Sequence, residues 1–521
     1  MLGRKSRRDV VRLKGQVATI ALVLACGIMA IVMLRSAYSS LLEARDSYYA
    51  RFRFGDVFAH LERAPDAVVA RLEAMPGVAL VYPRIVKNVM VPIADEPDPV
   101  TGTVISLPDS GEPPIGGLYL RTGRLPLPNV DEAVVLEQFA TAHGLVPGDT
   151  LPVVIEGRLR KIRICGIALS PEYVLASATG GLVDKRRFVV LWMPRKTIAP
   201  AFQMDGAFND VVIQLEPHTD PVAVVQQLDR ELARYGGTHA VARDRQMSNY
   251  MLTSELQVLR TLAIVIPAIF LGVAAFLVNV VISRLIFLER GQIAVLKALG
   301  FSNRRVGMHY LGLVTLIVGV GAVLGMWFGV VTGGWMTGLY ASFYRFPSYV
   351  HHVRASLVVM TLAIGLGTAV LGAMAAVRRV VRMPPAEAMR PPAPLSYRTS
   401  RAGTAIGGAF GPSGTMVVRE LERRPFRFLF SVLGIAMGVG IYVMGNMSKD
   451  SFDDLMGRIF PMEHQEDLVV MLAHSAPARA AEELAHVPGV LHAEGQRVVP
   501  VRMCVGSRWR DVTLVGMPVE P

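Results

Sequence analysis

Charge is scarce in this chain. Only 18% of its 521 residues are Asp, Glu, Lys or Arg, and the mean hydropathy is +0.40, which excludes a disordered chain and an ordinary soluble one. Cysteine is almost missing. Cys26, Cys165 and Cys504 show no paired spacing and no zinc motif, so neither a disulfide framework nor a cysteine metal site is indicated. Cys26 lies in an apolar run and reads as a small packing residue; a bridge between Cys165 and Cys504 stays open. No Gly-x-x-x-x-Gly-Lys-[Ser/Thr] loop occurs, and Gly411-Pro-Ser-Gly-Thr lacks the lysine that such a loop needs. The chain therefore has no phosphate cradle of that kind, and it holds no cofactor motif. No Ser/His/Asp or Cys/His arrangement points to catalysis. His351-His352 makes a poor metal pair, because adjacent side chains point apart and no third ligand is evident.

What is abundant is apolar residues gathered in blocks. Val17–Leu34, Thr261–Ile282, Leu311–Gly333, Ser356–Val377 and Phe428–Met447 each approach the ~20 residues that cross a bilayer as a helix. None has an ionisable residue at its centre, which counts against an ion- or proton-driven path. The net charge of +12 invites a nucleic-acid reading, but its distribution points elsewhere. Arg4, Lys5, Arg7, Arg8, Arg12 and Lys14 precede the first block, Arg378, Arg379 and Arg382 follow the fourth, and Arg423, Arg424 and Arg427 precede the last. Basic residues at block edges mark the cytoplasmic face and anionic membrane lipid, and place the N-terminus inside. The length of the first block favours an anchor over a cleaved leader.

The expected organisation follows from these blocks. Residues 1–37 are a cytoplasmic tail and first span, 38–256 an extracytoplasmic α+β domain, and 257–390 a membrane domain with three spans. Residues 391–426 are a cytoplasmic linker, 427–447 a fifth span, and 448–521 a second, partial outer domain. Within the first outer domain, Val86–Ile93, Leu151–Ile155, Lys161–Ile167 and Val211–Leu215 read as strands, and Pro65–Met75 and Pro221–Tyr235 as helices. Asp131-Glu132 and Asp453-Asp454 read as solvated faces or helix-start charges. Trp335–Arg354 reads as a short aromatic connection on the outer side. Gly321, Gly325 and Gly329, and again Gly434 and Gly438, have the four-residue spacing that lets helices approach closely, although glycine as plain small filler fits as well.

The chain also repeats. Ala476-Pro-Ala-Arg-Ala-Ala-Glu-Glu-Leu-Ala-His-Val-Pro-Gly-Val490 echoes Ala64-Pro-Asp-Ala-Val-Val-Ala-Arg-Leu-Glu-Ala-Met-Pro-Gly-Val78 at an offset of 412 positions. The same offset carries the first apolar block onto the fifth. This is an internal duplication whose second copy is incomplete. A fragment, a truncated gene and completion by another chain all stay open.

The most informative stretch is Leu288-Glu-Arg-Gly-Gln-Ile-Ala-Val-Leu-Lys-Ala-Leu-Gly-Phe-Ser-Asn-Arg-Arg305, wedged between the second and third blocks. It is too short and too charged to span, so residues 288–300 form a helix lying on the membrane surface. Ile293, Leu296 and Leu299 form its apolar face, Glu289, Arg290 and Lys297 keep it hydrated, and Gly300 ends it. The segment resembles the coupling helix of FtsX-like/MacB-type permeases of ATP-binding-cassette systems, with Gln292 where that family usually has Glu and Ala294 where it often has Gly. Pro384-Pro-Ala-Glu-Ala-Met-Arg390 resembles the ending of FtsX-like membrane domains. Four pieces in family order resemble the MacB-type outer domain: Leu120-Arg-Thr-Gly-Arg-Leu-Pro, Asp131-Glu-Ala-Val-Val-Leu, Gly144-Leu-Val-Pro-Gly-Asp-Thr-Leu and Ile164-Cys-Gly-Ile-Ala.

The resemblance implies a membrane subunit of an export or extraction system in the bacterial inner membrane, with ATP bound by a separate cytoplasmic ATPase that docks on Ile293, Leu296 and Leu299. It also implies a periplasmic adaptor, and a homodimer or second permease chain, as partners. Its alternative is an ABC-coupled adaptor that regulates an outer enzyme such as a cell-wall hydrolase; neighbouring genes discriminate the two.

Overall fold

The computed structural model describes residues 14–93, 100–175, 185–382, 384, 425–459, 466–470, 472, 476–505 and 508–516. Helix α1 (Lys14–Arg51) opens the chain. It is followed by β1 (Val57–Pro65), a 3-10 turn continuing as α2 (Val69–Glu73), β2 (Val78–Arg84), β3 (Val86–Val91), β4 (Val100–Leu107), β5 (Tyr119–Gly123) and β6 (Glu132–Leu136). Next come α3 (Glu137–His143), β7 (Thr150–Ile155), β8 (Arg158–Leu169), β9 (Phe188–Pro194), β10 (Ala207–Leu215), α4 (Pro221–Leu232) and β11 (Val241–Ala242). The long helices α5 (Met247–Leu288), α7 (Asn303–Phe343) and α8 (Ala355–Arg382) follow, with the short α6 (Arg290–Ala298) between the first two. The chain closes on α9 (Pro425–Asp454), α10 (Arg479–Ala485), β12 (Arg497–Val505) and β13 (Arg508–Gly516). These elements divide into a helical unit and a strand-rich unit.

In the helical unit each expected span lies within a longer helix. Among the described residues, five helices are long and apolar enough to cross a membrane. The expected connection Trp335–Arg354 is helical as far as Phe343, so only its second half is a loop. Helix α1 packs along α7 through the predicted glycines. A Cβ at Gly321 would fall 2.8 Å from the Ala21 carbonyl oxygen, one at Gly325 2.6 Å from that of Ala25, and one at Gly329 2.7 Å from Val32 Cβ. Glycine here permits backbone contact that any other residue would block. Gly372 of α8 meets the Ala275 carbonyl oxygen of α5 in the same way. The expected packing role of Gly434 and Gly438 is not seen: Gly438 has nothing within 4 Å, and Gly434 makes only an ordinary contact with Val273 at 3.6 Å. Spacing alone does not create a close approach; a partner backbone must be opposite.

The strand-rich unit has three sheets among the described residues, the smallest being the β12–β13 hairpin. One has the order β11-β1-β10-β2, antiparallel throughout. Its β1-α2-β2 and β10-α4-β11 halves give a ferredoxin-like arrangement. The largest sheet runs β5-β8-β6-β9-β4-β3-β7 and closes on itself because β7 also pairs with β8; a closed sheet has no free edge along its closure. This barrel is inserted between β2 and β10. Its parallel pairs are β4 with β9 and β6 with β8.

The four motif pieces meet in this barrel. Gly123 on β5 takes φ +84°, and a Cβ there would fall 2.3 Å from the Cys165 carbonyl oxygen; one at Gly166 on β8 would fall 2.6 Å from the Arg124 carbonyl oxygen. The two glycines let β5 cross β8 backbone to backbone. Arg124 then donates through both terminal nitrogens to Glu132, at 2.8 Å each. Glu132 is buried, so its reading as a solvated charge is corrected. Its hydrogen bond from Arg124 outweighs burial and holds its carboxyl below the usual range. Cys165 is free and buried, with its thiol donating to the Ala133 carbonyl oxygen at 3.3 Å; the Cys504 side chain lies outside what the structure describes.

A buried ion network fastens the ferredoxin-like sheet to the barrel. Arg84, the last residue of β2, donates to Asp210 of β10 at 2.6 Å and to Glu172, just after β8, at 2.7 Å. His60 Nδ1 on β1 lies 2.5 Å from the second oxygen of Asp210. Beside it the Asn209 side chain accepts from the Val86 N–H and donates to the Val86 carbonyl, satisfying backbone where β3 leaves the sheet.

The duplication has a structural counterpart. At the offset of 412, α10 falls on the turn and helix at Asp66–Glu73. Gly489 has φ +97° where Gly77 has φ +81°. The β12–β13 hairpin falls on β3 and β4, which pair antiparallel in the same manner.

Candidate functional site

Helix α6 stands where the sequence expects a surface helix. It is not a continuation of α5. Glu289 leaves helical geometry at φ −96°, ψ 8°, while its N–H still donates to Leu285 and its carbonyl accepts from Ile293. The chain thus turns a hydrogen-bonded corner. Arg290, Gln292, Ala294, Leu296, Lys297 and Ala298, all good helix formers, make up six of the nine residues that follow. The end is a Schellman motif: Phe301 N–H donates to the Leu296 carbonyl at 3.1 Å, Gly300 N–H to that of Lys297 at 3.0 Å, and Gly300 takes φ +88°. Ser302 then caps α7 by accepting from Arg305 N–H.

The bundle takes one face of α6. Ile293 and Ala294 are buried, and Ile293 joins Ile286, Val306 and Tyr310 in the core of the helical unit. Ile293, expected on the docking face, is therefore unavailable there. The reason is physical: Ile286, Glu289 and Ile293 are all buried at helical spacing, so the stripe that carries Ile293 faces the bundle rather than a partner. Gln292, Val295 and Leu299 are exposed, Leu299 at 72%, and Leu296 is half-buried. Gly291, Gln292, Val295 and Leu296 line an open depression of about 420 Å³. Val295 was not among the expected residues, although the spacing 292, 295, 299 offered it.

The charged positions are corrected as well. Glu289 is only 4% exposed and accepts from the Tyr310 hydroxyl at 2.9 Å. Lys297 donates to the Val381 carbonyl oxygen of α8 at 3.2 Å, and burial lowers its pKa. Arg290 is half-buried, as Lys297 is, with its guanidinium over the Phe287 ring at 5.4 Å. Gly300 ends the helix as expected. Elsewhere, His351 is engaged by Thr337 Oγ1 at 2.9 Å, and among the described residues no three His, Cys, Asp or Glu gather in a metal-binding group. The expected ending Pro384–Arg390 lies, apart from Pro384, outside the described residues, as does the linker up to residue 424.

Comparison with known proteins bears on this region. Residues 264–385, which contain α6 whole, match the family model described as FtsX-like permease C-terminal. No curated protein matches the chain. Among solved structures, the periplasmic region of MacB from Actinobacillus actinomycetemcomitans is 11% identical with a TM-score of 0.25, covering 40% of this chain and 95% of that one. The extracellular domain of the noncanonic ABC-type transporter YknZ from Gram-positive bacteria is 14% identical with a TM-score of 0.25, covering 35% and 97%.

Proposed function

The chain carries an FtsX-like permease C-terminal domain at residues 264–385, and from that premise we propose that it is the membrane subunit of an ABC-type export or extraction system in a bacterial plasma membrane. In this reading the N-terminus and α6 are cytoplasmic and the strand-rich unit is outside. A separate ATPase binds and hydrolyses ATP, and it seats an apolar side chain in the depression lined by Gly291, Gln292, Val295 and Leu296, with Leu299 exposed one turn further on. Closure of the ATPase displaces α6, and the helices carry that displacement to the strand-rich unit as rigid bodies. The cargo is moved by that unit, with no route through the bundle.

One observation carries the docking assignment: α6 is fixed in the core by Ile293 and Ala294 while its opposite side offers an uncovered apolar depression. An element that is both anchored and accessible can receive force and pass it on. The basic residues clustered at helix ends support the orientation. The second set of outer elements, α10 and β12–β13, supports two outer units acting as a pair.

The test uses the full chain co-expressed with the ATPase encoded beside it. Val295→Asp places a charge in the depression without touching the core. It is expected to weaken ATPase association at least ~10-fold, the cost of burying an unpaired charge at an apolar contact, while membrane insertion is unchanged. Wild-type affinity in Val295→Asp and in Leu296→Asp alike removes the docking assignment.

A further inference from the structure

We propose that Glu289 and Lys297, the charged residues at the two ends of α6, are struts rather than docking residues: each ties the helix to a different long helix and fixes its attitude. The inference rests on the docking role of α6 and says how push on its outer face reaches the bundle.

Three observations place the struts. Glu289 is 4% exposed and Tyr310 1%, and the phenol donates to the carboxylate at 2.9 Å. Tyr310 is on α7, two turns inside its start at Asn303, so the bond joins the α5–α6 corner to the third long helix. Lys297, eight residues on from Glu289, reaches the Val381 carbonyl oxygen near the end of α8. Between these ends Ile293 and Ala294 supply the apolar seat.

Apolar seating by itself is non-directional and resists rotation of a nine-residue helix poorly. A hydrogen bond has a preferred angle, so one at each end on different helices fixes both roll and tilt. A carboxylate accepting in a buried place is also stronger than a neutral pair. Glu289 is thus a positioning residue. Without it α6 keeps its contact with the ATPase but turns under load, and the push is spent in rotation.

The experiment compares Glu289→Ala, Glu289→Gln and Tyr310→Phe in the full chain. Glutamine keeps an oxygen that accepts from Tyr310; alanine and the phenylalanine variant do not. Two readouts are taken: amide hydrogen exchange of residues 290–301 in the purified chain, and ATP turnover and affinity with the co-expressed ATPase. The expected result is at least tenfold faster exchange in Glu289→Ala and Tyr310→Phe, with Glu289→Gln near wild type. ATPase affinity is expected within twofold of wild type in all three, with stimulated turnover lost at least fivefold in the first two and restored in the third.

Unchanged exchange in Tyr310→Phe overturns the strut, and so does affinity falling in step with turnover, which makes Glu289 part of the docking face. Tyr310→Phe keeps the ring, so it reads the bond even where Glu289→Ala fails to fold. If the wild-type chain binds no ATPase, the docking reading falls, and the exchange rates still decide whether the tie exists.

Discussion

In the helical unit the tightest approaches are between backbones: Gly325 against Ala25, Gly372 against Ala275. In the strand-rich unit the most constrained joint is ionic, with Arg84 held between Asp210 and Glu172 where two sheets meet. The difference follows from solvent. Helices surrounded by lipid gain little from hiding apolar side chains from one another, so close van der Waals contact must hold them, and small residues permit it. A unit facing water has the hydrophobic effect for its cores and can afford one buried network at the joint, provided each charge is paired. Helix α9 sharpens the contrast. It has the same glycine spacing as α7, yet no backbone opposes it among the described residues.

Three substitutions break or refine that comparison. Arg84→Met removes the shared cation and leaves two buried carboxylates facing each other. It is expected to cost about 3–5 kcal/mol, lowering the melting temperature of the strand-rich unit by about 10 °C while helical content persists; thermal melts followed by limited proteolysis check this. A loss no larger than that of the exposed Arg158→Met would mean that the network is incidental. Next in size, Gly325→Val forces α1 off α7, at about 1–3 kcal/mol, whereas Gly438→Val stays within about 0.5 kcal/mol, both read from melts in detergent. Equal effects would undo the distinction between the two glycine runs.

The smallest effect is of pH. The charge of Asp210, with a lesser hydrogen bond that it accepts from the ring, raises the His60 pKa above 6.5 against the opposing pull of burial and Arg84. A raised pKa stabilises the fold fully below the unfolded value and loses that stabilisation as pH rises through the folded one. The strand-rich unit is therefore expected to melt slightly lower at pH 8.5 than at pH 6, by no more than about 2 °C for a solvent-screened ring. His60→Ala should flatten this dependence. Asp210 behaves oppositely: burial would raise its pKa, but Arg84 and His60 prevail and hold it at about 2, so its stabilisation fades only in strong acid.

Much of this was legible in the residues. Spans of about 20 apolar residues declare themselves, and the strands at Val86, Leu151, Lys161 and Val211 follow from composition and turn residues. Strand β9 escaped because Phe188–Pro194 is buried at every position, so no alternation marks it. The network escaped because His60, Arg84, Glu172 and Asp210 are scattered along the chain and only the sheet order brings them together. On α6, the presence and end of the helix were readable, but its facing was not. Ile293 lies on the stripe that continues buried Ile286 and Glu289 into the bundle, with Val295 exposed on another side, and periodicity alone does not say which stripe meets the bundle and which a partner.

The most direct test places a photo-crosslinking phenylalanine analogue singly at positions 293, 295 and 299 and irradiates native membranes that contain the co-expressed ATPase. The account predicts an adduct with the soluble ATPase from 295 and 299 and none from 293. An ATPase adduct from 293 alone, or none from 295 and 299, would contradict it.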